Sequence, residues 1–191
     1  MDNLVLVGFS CSGKTTIGRI LARRLGLRFV DTDRLVEQAT ERSIPEIFRT
    51  EGEAAFRALE REVVARICAE QFQVISTGGG AFVDHRNRDL LRQGNLVIHL
   101  RVRPGTVVQR LRSSKGGRPR PLLEAPDPLR RVTELMAARR HAYGLAHVGI
   151  DVDERSAHRI AGEIVRHWFG WRRARGVAQA PVPLGRRGVN P

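Results

Sequence analysis

Apolar positions along the chain switch between short solid runs and a rhythm of three to four residues. Leu4–Val7, Gln73–Ser76 and Leu96–Leu100 are runs of the length expected for buried strands. Arg28–Asp31 and His147–Val152 add two further short strands. Between them, Ile17, Ile20, Leu21 and Leu25 recur at helical spacing from Lys14 onward, and Gly26 stops that helix. Phe56, Leu59, Val63 and Ile67 mark a longer amphipathic helix, and Ala157, Ile160, Ala161, Ile164 and Trp168 mark the last one. Shorter helices are expected over 33–42, 45–50, 85–93, 105–112 and 128–143. Strands alternating with helices predict an α/β fold whose parallel sheet is covered on both faces. Ligands in such folds sit at the carboxyl ends of the strands.

One stretch breaks the rhythm. Residues 113–127 hold Gly116, Gly117, Pro119, Pro121 and Pro126 together with Arg118 and Arg120. A loop of that length inside a domain of this size is functional or disordered, and one carrying arginine beside a phosphate site suggests a lid. With 191 residues, 41% of them hydrophobic, the chain suits one domain, taken to span residues 1–169. The start at Met1 carries an acid and only four consecutive apolar residues, so a cytoplasmic chain without a membrane anchor is expected. Cys11 and Cys68 lack metal-ligand spacing; Cys68 reads as a small buried hydrophobe.

The net charge of +13 raises the question of nucleic acid. Six arginines and no acid lie within residues 164–191, so removing that stretch leaves +7 on the body. The tail from about Gly170 to Pro191 is basic, contains proline and is expected to be disordered. A moderately basic body suits an enzyme of anionic substrates. Seven Phe, two Trp and one Tyr give poor material for a base-stacking platform, so no specific nucleic acid is expected.

Gly8–Thr15, GFSCSGKT, matches the phosphate-loop pattern and stands between a strand and a helix. Its backbone N–H groups can turn inward around phosphate oxygens, at the positive end of the helix beginning at Lys14. Lys14 would reach the β- and γ-phosphates of ATP, and the Thr15 hydroxyl would meet Mg²⁺. Of 33 basic residues only Lys14 and Lys115 are lysines, so a chain that favours arginine keeps a compact ammonium here. Asp31 and Asp33 flank Thr32 at a strand end. Residues two apart on extended chain point the same way, which would aim one carboxylate at the metal and the other at an acceptor hydroxyl; a plain helix cap at Asp33 explains it equally well. Arg57 and Glu60, three apart on a helix, are placed to pair, although an exposed pair of that kind is worth at most about 1 kcal/mol. Gly78, Gly79 and Gly80 follow a strand, where bare backbone can approach a ligand.

These pieces, in this order, resemble the shikimate kinase family: GFSCSGKT, the DTD of Asp31–Asp33, EGEAAFRALE of Glu51–Glu60, TGGG of Thr77–Gly80, RPLL of Arg120–Leu123, and the Arg139–Tyr143 stretch. The resemblance covers residues 3 to about 168. It implies a three-layer α/β/α fold with a five-stranded parallel sheet in the order 2-3-1-4-5 and a mobile lid. It also implies transfer of a phosphoryl group from ATP to the 3-hydroxyl of shikimate, in a monomer. Asp33, Lys14 and Arg120 would be catalytic, with Asp33 holding and deprotonating the hydroxyl and Arg120 reaching the ATP phosphates from the lid. Cys11, Ser12, Gly13, Lys14, Thr15 and Thr16 would contact ATP, with Arg112 and Arg155 near adenine. Arg57 and Arg139 would clamp the substrate carboxylate. Glu60 would orient Arg57, while Gly78, Gly79 and Gly80 would contact substrate through backbone. Thr15 and, through water, Asp31 would serve Mg²⁺. Cys11 stands where the family usually has another glycine, and is expected to be tolerated if its φ is negative. A second arginine, Arg118, competes with Arg120 for the lid role.

Two rival readings remain open at this level. A related kinase of another small hydroxy acid, such as gluconate, shares the loop and the fold. A basic nucleic-acid-binding or regulatory domain with a vestigial nucleotide loop would instead show duplex binding with a steep salt dependence and no kinase activity.

Overall fold

The computed structural model describes residues 2–113 and 125–176. In chain order the elements are β1 Leu4–Val7, α1 Lys14–Leu25, β2 Arg28–Asp31, α2 Thr32–Thr40, α3 Ile44–Thr50, α4 Gly52–Cys68, β3 Gln73–Ser76, α5 His85–Arg92, β4 Leu96–Arg101, α6 Pro104–Ser113, α7 Pro128–Gly144, β5 Val148–Asp151 and α8 Ala157–Ala174. All four strand pairings are parallel, and the sheet order is β2-β3-β1-β4-β5, as the resemblance implies.

β1 lies at the centre, and each of its four residues is fully buried. Because side chains alternate across a strand, Leu4 and Leu6 point into one core and Val5 and Val7 into the other. The first core is filled by Ile17, Leu21 and Leu25 of α1 and by Ile160, Ile164 and Trp168 of α8. The second takes Phe56, Val63 and Ile67 of α4 and Leu91 of α5. Helices thus cover both faces, which is why the inner strands read as solid apolar runs. β2 and β5 lie at the edges and alternate more with polar residues.

Register places the functional end. Leu6 pairs with Ser76, and Asp31 pairs with the same Ser76 from the other side. The chain leaving β1, β2 and β3 therefore emerges side by side. β1 has β3 on one flank and β4 on the other, so the connections diverge there and open a crevice.

Three sequence expectations change. α2 begins at Thr32, and the residue capping it is Asp31, whose carboxylate accepts from Arg34 N–H. Asp33 lies in the first helical turn, so neither the extended-chain placement nor the cap at Asp33 holds. α8 runs on to Ala174, past Gly170, because Trp171 stacks on Trp168 at 5.6 Å and Arg172 and Arg175 cover the two indoles. Arg172 also pairs with Asp2, near the other end of the chain. Positions 177–191 lie outside the described residues. Among the described residues, no helix is long and apolar enough to cross a membrane.

Candidate active site

A cleft of about 520 Å³ opens where the three strand ends meet, and the phosphate loop forms its floor. The loop is held by its own groups. Lys14 Nζ donates to the carbonyls of Gly8 and Phe9, both at 2.8 Å, and is buried. Gly13, at φ 95°, caps α1 in a conformation that favours glycine, and leaves the helix's first N–H groups facing the cleft. Cys11 also has positive φ, 61°, so the condition of a negative φ, on which its tolerance was expected, is not met. A residue with a Cβ occupies a left-handed position in the loop. Its carbonyl accepts from Arg110 Nη1 at 2.8 Å.

Asp31, Asp33 and Thr15 line the same cleft. Thr15 Oγ1 donates to Asp31 Oδ2 at 2.9 Å. A hydroxyl oxygen and a carboxylate oxygen in contact beside the loop lysine are hard oxygen donors of the kind Mg²⁺ takes, together with phosphates and water. The residues present therefore fit that ion.

The three glycines after β3 make room for side chains of the site itself. A Cβ on Gly78 would lie 2.5 Å from Asp33 Oδ1 and 2.8 Å from Glu60 Oε1. On Gly79 it would lie 3.1 Å from Ser10 Oγ, and on Gly80 2.5 Å from Arg57 Nη1. None of the three has positive φ, so close approach accounts for them and turn geometry does not. Thr32, the middle residue of DTD, is fully buried and accepts from Gly78 N–H at 2.8 Å, which ties the start of α2 to the end of β3.

Arg57 and Glu60 form a buried pair, 2.8 Å from Nη1 to Oε2, with the Glu60 side chain 1% exposed. The exposed-pair reading fails. Arg57 is held from its other side by Glu53. Burial pushes the Glu60 carboxyl above its usual range, opposed by Arg57 and reinforced by Asp33. Its second oxygen, Oε1, has no hydrogen-bond partner among the described residues. Arg139, from α7, donates to the Gly79 carbonyl at 3.0 Å and lies over the Phe9 ring at 5.3 Å. The substrate-clamp candidates Arg57 and Arg139 thus flank the glycines, each next to a different one.

The nucleotide-side arginines divide. Arg155 lines the cleft, paired with Glu163. Arg110 lines it too, whereas Arg112 is exposed on α6 and absent from the cleft wall. Sequence reading missed Arg110, for both residues sit in the same arginine-rich helical turn and only packing separates them. Ser12 is buried in the loop and Thr16 is exposed on α1. Arg118 and Arg120 lie outside the described residues.

The family model described as shikimate kinase matches residues 10–168. A shikimate kinase of Symbiobacterium thermophilum is 51% identical over 164 residues, 85% of this chain and 94% of that protein. One from Moorella thermoacetica is 44% identical over 88% of this chain and 95% of its own length. Among solved structures, shikimate kinase from Acinetobacter baumannii in complex with shikimate superposes with a TM-score of 0.82 at 34% identity, covering 88% of this chain and 93% of that one. With a family match over residues 10–168 and a relative 51% identical over 85% of the chain, the chain belongs to the shikimate kinase family.

Proposed function

We propose that the chain transfers the γ-phosphoryl group of ATP to the 3-hydroxyl of shikimate, with the residues above in the following roles. Asp33 accepts the hydroxyl proton as the oxygen attacks phosphorus. The new O–P bond forms as the bond to the bridging oxygen of ADP breaks. Lys14 and the inward N–H groups of the loop take the charge that develops on the phosphate oxygens. Arg57, held by Glu60 and Glu53, and Arg139, held by the Gly79 carbonyl, bind the carboxylate of the acceptor and set its hydroxyl near Asp33. Cys11, Ser12, Gly13 and Thr16 accompany Lys14 in nucleotide binding, and Arg155 and Arg110 line the nucleotide side. Thr15 and, through water, Asp31 would hold Mg²⁺, which would supply charge neutralisation on the phosphates. The chain works as a cytoplasmic monomer.

The observation that carries this reading is the convergence of Asp33, Glu60, Arg57 and Arg139 on three consecutive glycines beside a phosphate loop. Nucleotide hydrolysis alone would need none of the arginines. A coupled ADP-release assay with shikimate and with gluconate as acceptors tests it. Turnover is expected with shikimate; turnover with gluconate and none with shikimate refutes it.

A further inference from the structure

Tyr143 lies one helical turn beyond Arg139 on α7, so both side chains reach the same place. Tyr143 Oη donates to the Gly79 carbonyl at 2.5 Å, and Arg139 Nη1 donates to the same oxygen at 3.0 Å. Burial pushes the Tyr143 hydroxyl up to about 12, so it stays a donor across the working pH range. The ring is 4% exposed and stacks on His99, with centroids 4.8 Å apart. His99 in turn sits against the phosphate loop: its Cδ2 lies 3.5 Å from where a Cβ on Gly8 would be. Ser10 of the loop also closes on Gly79, its Oγ 3.1 Å from where a Cβ would be.

A trans peptide directs its C=O and the following N–H in opposite directions. Fixing the Gly79 carbonyl toward α7 therefore fixes the Gly80 N–H away from α7. Gly80 lies against the Arg57 guanidinium. Neither Gly79 N–H nor Gly80 N–H has an acceptor among the described residues. This peptide is the central one of a turn closed by Ala81 N–H on the Gly78 carbonyl at 3.3 Å; with no Cβ on either glycine, the hydrogen bonds to the Gly79 carbonyl supply the remaining restraint on its rotation. The arginine alone would be a poor anchor, because an anionic acceptor competes for it.

We propose that Tyr143 is a positioning residue for the acceptor: it fixes the Gly79–Gly80 peptide so that Gly80 N–H faces the acceptor while Arg139 turns to the carboxylate. The His99 ring braces Tyr143 against the phosphate loop. Tyr143 acts through the peptide and does not touch the reacting atoms. The assignment rests on the proposed shikimate reaction.

Tyr143→Phe removes the hydroxyl and keeps the stacked ring. It leaves Gly79 O bonded to Arg139, so the fold is preserved. The expected result is a rise of about 3–10-fold in the KM for shikimate, the size of one lost hydrogen bond, with the KM for ATP within about twofold. In the absence of acceptor, the amide resonances of Gly79 and Gly80 should shift, while those of Lys14 and Thr15 stay in place. An unchanged shikimate KM, or Gly79 and Gly80 amides identical to wild type, overturns the assignment. Wild-type protein that releases no ADP with shikimate refutes the substrate reading instead, and the amide measurement then decides the role of Tyr143 alone.

Discussion

Cys11 is the non-glycine residue at positive φ within the phosphate loop, and its replacement makes a test in which the sign matters more than the size. A left-handed residue with a Cβ is strained by roughly 1–2 kcal/mol. Glycine relieves that strain but frees the unfolded chain, at a cost of about 0.4–1 kcal/mol. Cysteine cannot serve as the reference, because its side chain also packs against the first core. Alanine can, since it keeps the Cβ and drops the sulfur. Cys11→Gly should then be more stable than Cys11→Ala by about 0.5–1 kcal/mol, the difference between relief and entropy. For a chain of this size that is a Tm about 1–4 °C higher. At an ordinary φ the order reverses, with glycine the less stable of the two by about 0.5–1 kcal/mol. Thermal and urea melts of the two variants decide it. A glycine variant that melts below the alanine variant shows that the loop holds no strain at this position. Since Arg110 grips the Cys11 carbonyl, the loop path should survive in both, and their KM values for ATP should agree within about threefold.

Further predictions follow from the same site. Gly80→Ala drives a methyl into the Arg57 guanidinium and pushes it off the buried Glu60, so Tm should fall and the shikimate KM should rise at least about tenfold; an unchanged KM would separate Arg57 from acceptor binding. Asp33→Ala should collapse kcat far more than it alters ATP affinity, and an unaltered kcat removes Asp33 from the chemistry. His99 is lowered by burial, and by Arg101 and Lys14, to about 4, below its ordinary value of 6.5. The folded protein then binds fewer protons than the unfolded chain between those values, so stability contributed by neutral His99 is lost as pH falls from 6.5 toward 4. His99→Phe, which keeps a ring against Tyr143, should flatten the pH dependence of urea stability in that window by up to about 1.4 kcal/mol per pH unit. Matching slopes in variant and wild type would disprove the shift.

The strands and α1 were legible because burial on both faces leaves solid apolar runs and because Gly26 marks a stop. β1, α1, β2 and β3 fall on the residues the pattern predicts. The phosphate loop was legible because its chemistry is local. What needed coordinates was contact between distant segments. Gly79 and Tyr143 are 64 residues apart, and nothing in either neighbourhood announces their hydrogen bond. Thr32 reads as a spacer between two acids until its hydroxyl is seen on Gly78 N–H. Arg110 and Arg112 differ only in which side of α6 faces the loop. The end of α8 was read too early because the chain from about Gly170 is basic and contains proline, whereas two stacked indoles hold the helix across that point.

The carbonyl contacts of Lys14 bear on how fast and how tightly nucleotide is captured. An ammonium taken out of water needs oxygen around it, and the carbonyls of Gly8 and Phe9 provide it before any phosphate arrives. Capture is then an exchange of oxygen partners at one nitrogen, within a phosphate loop already set around it. The entropic penalty that a floppy loop would impose on binding is met during folding, and is borne by the same core that buries β1.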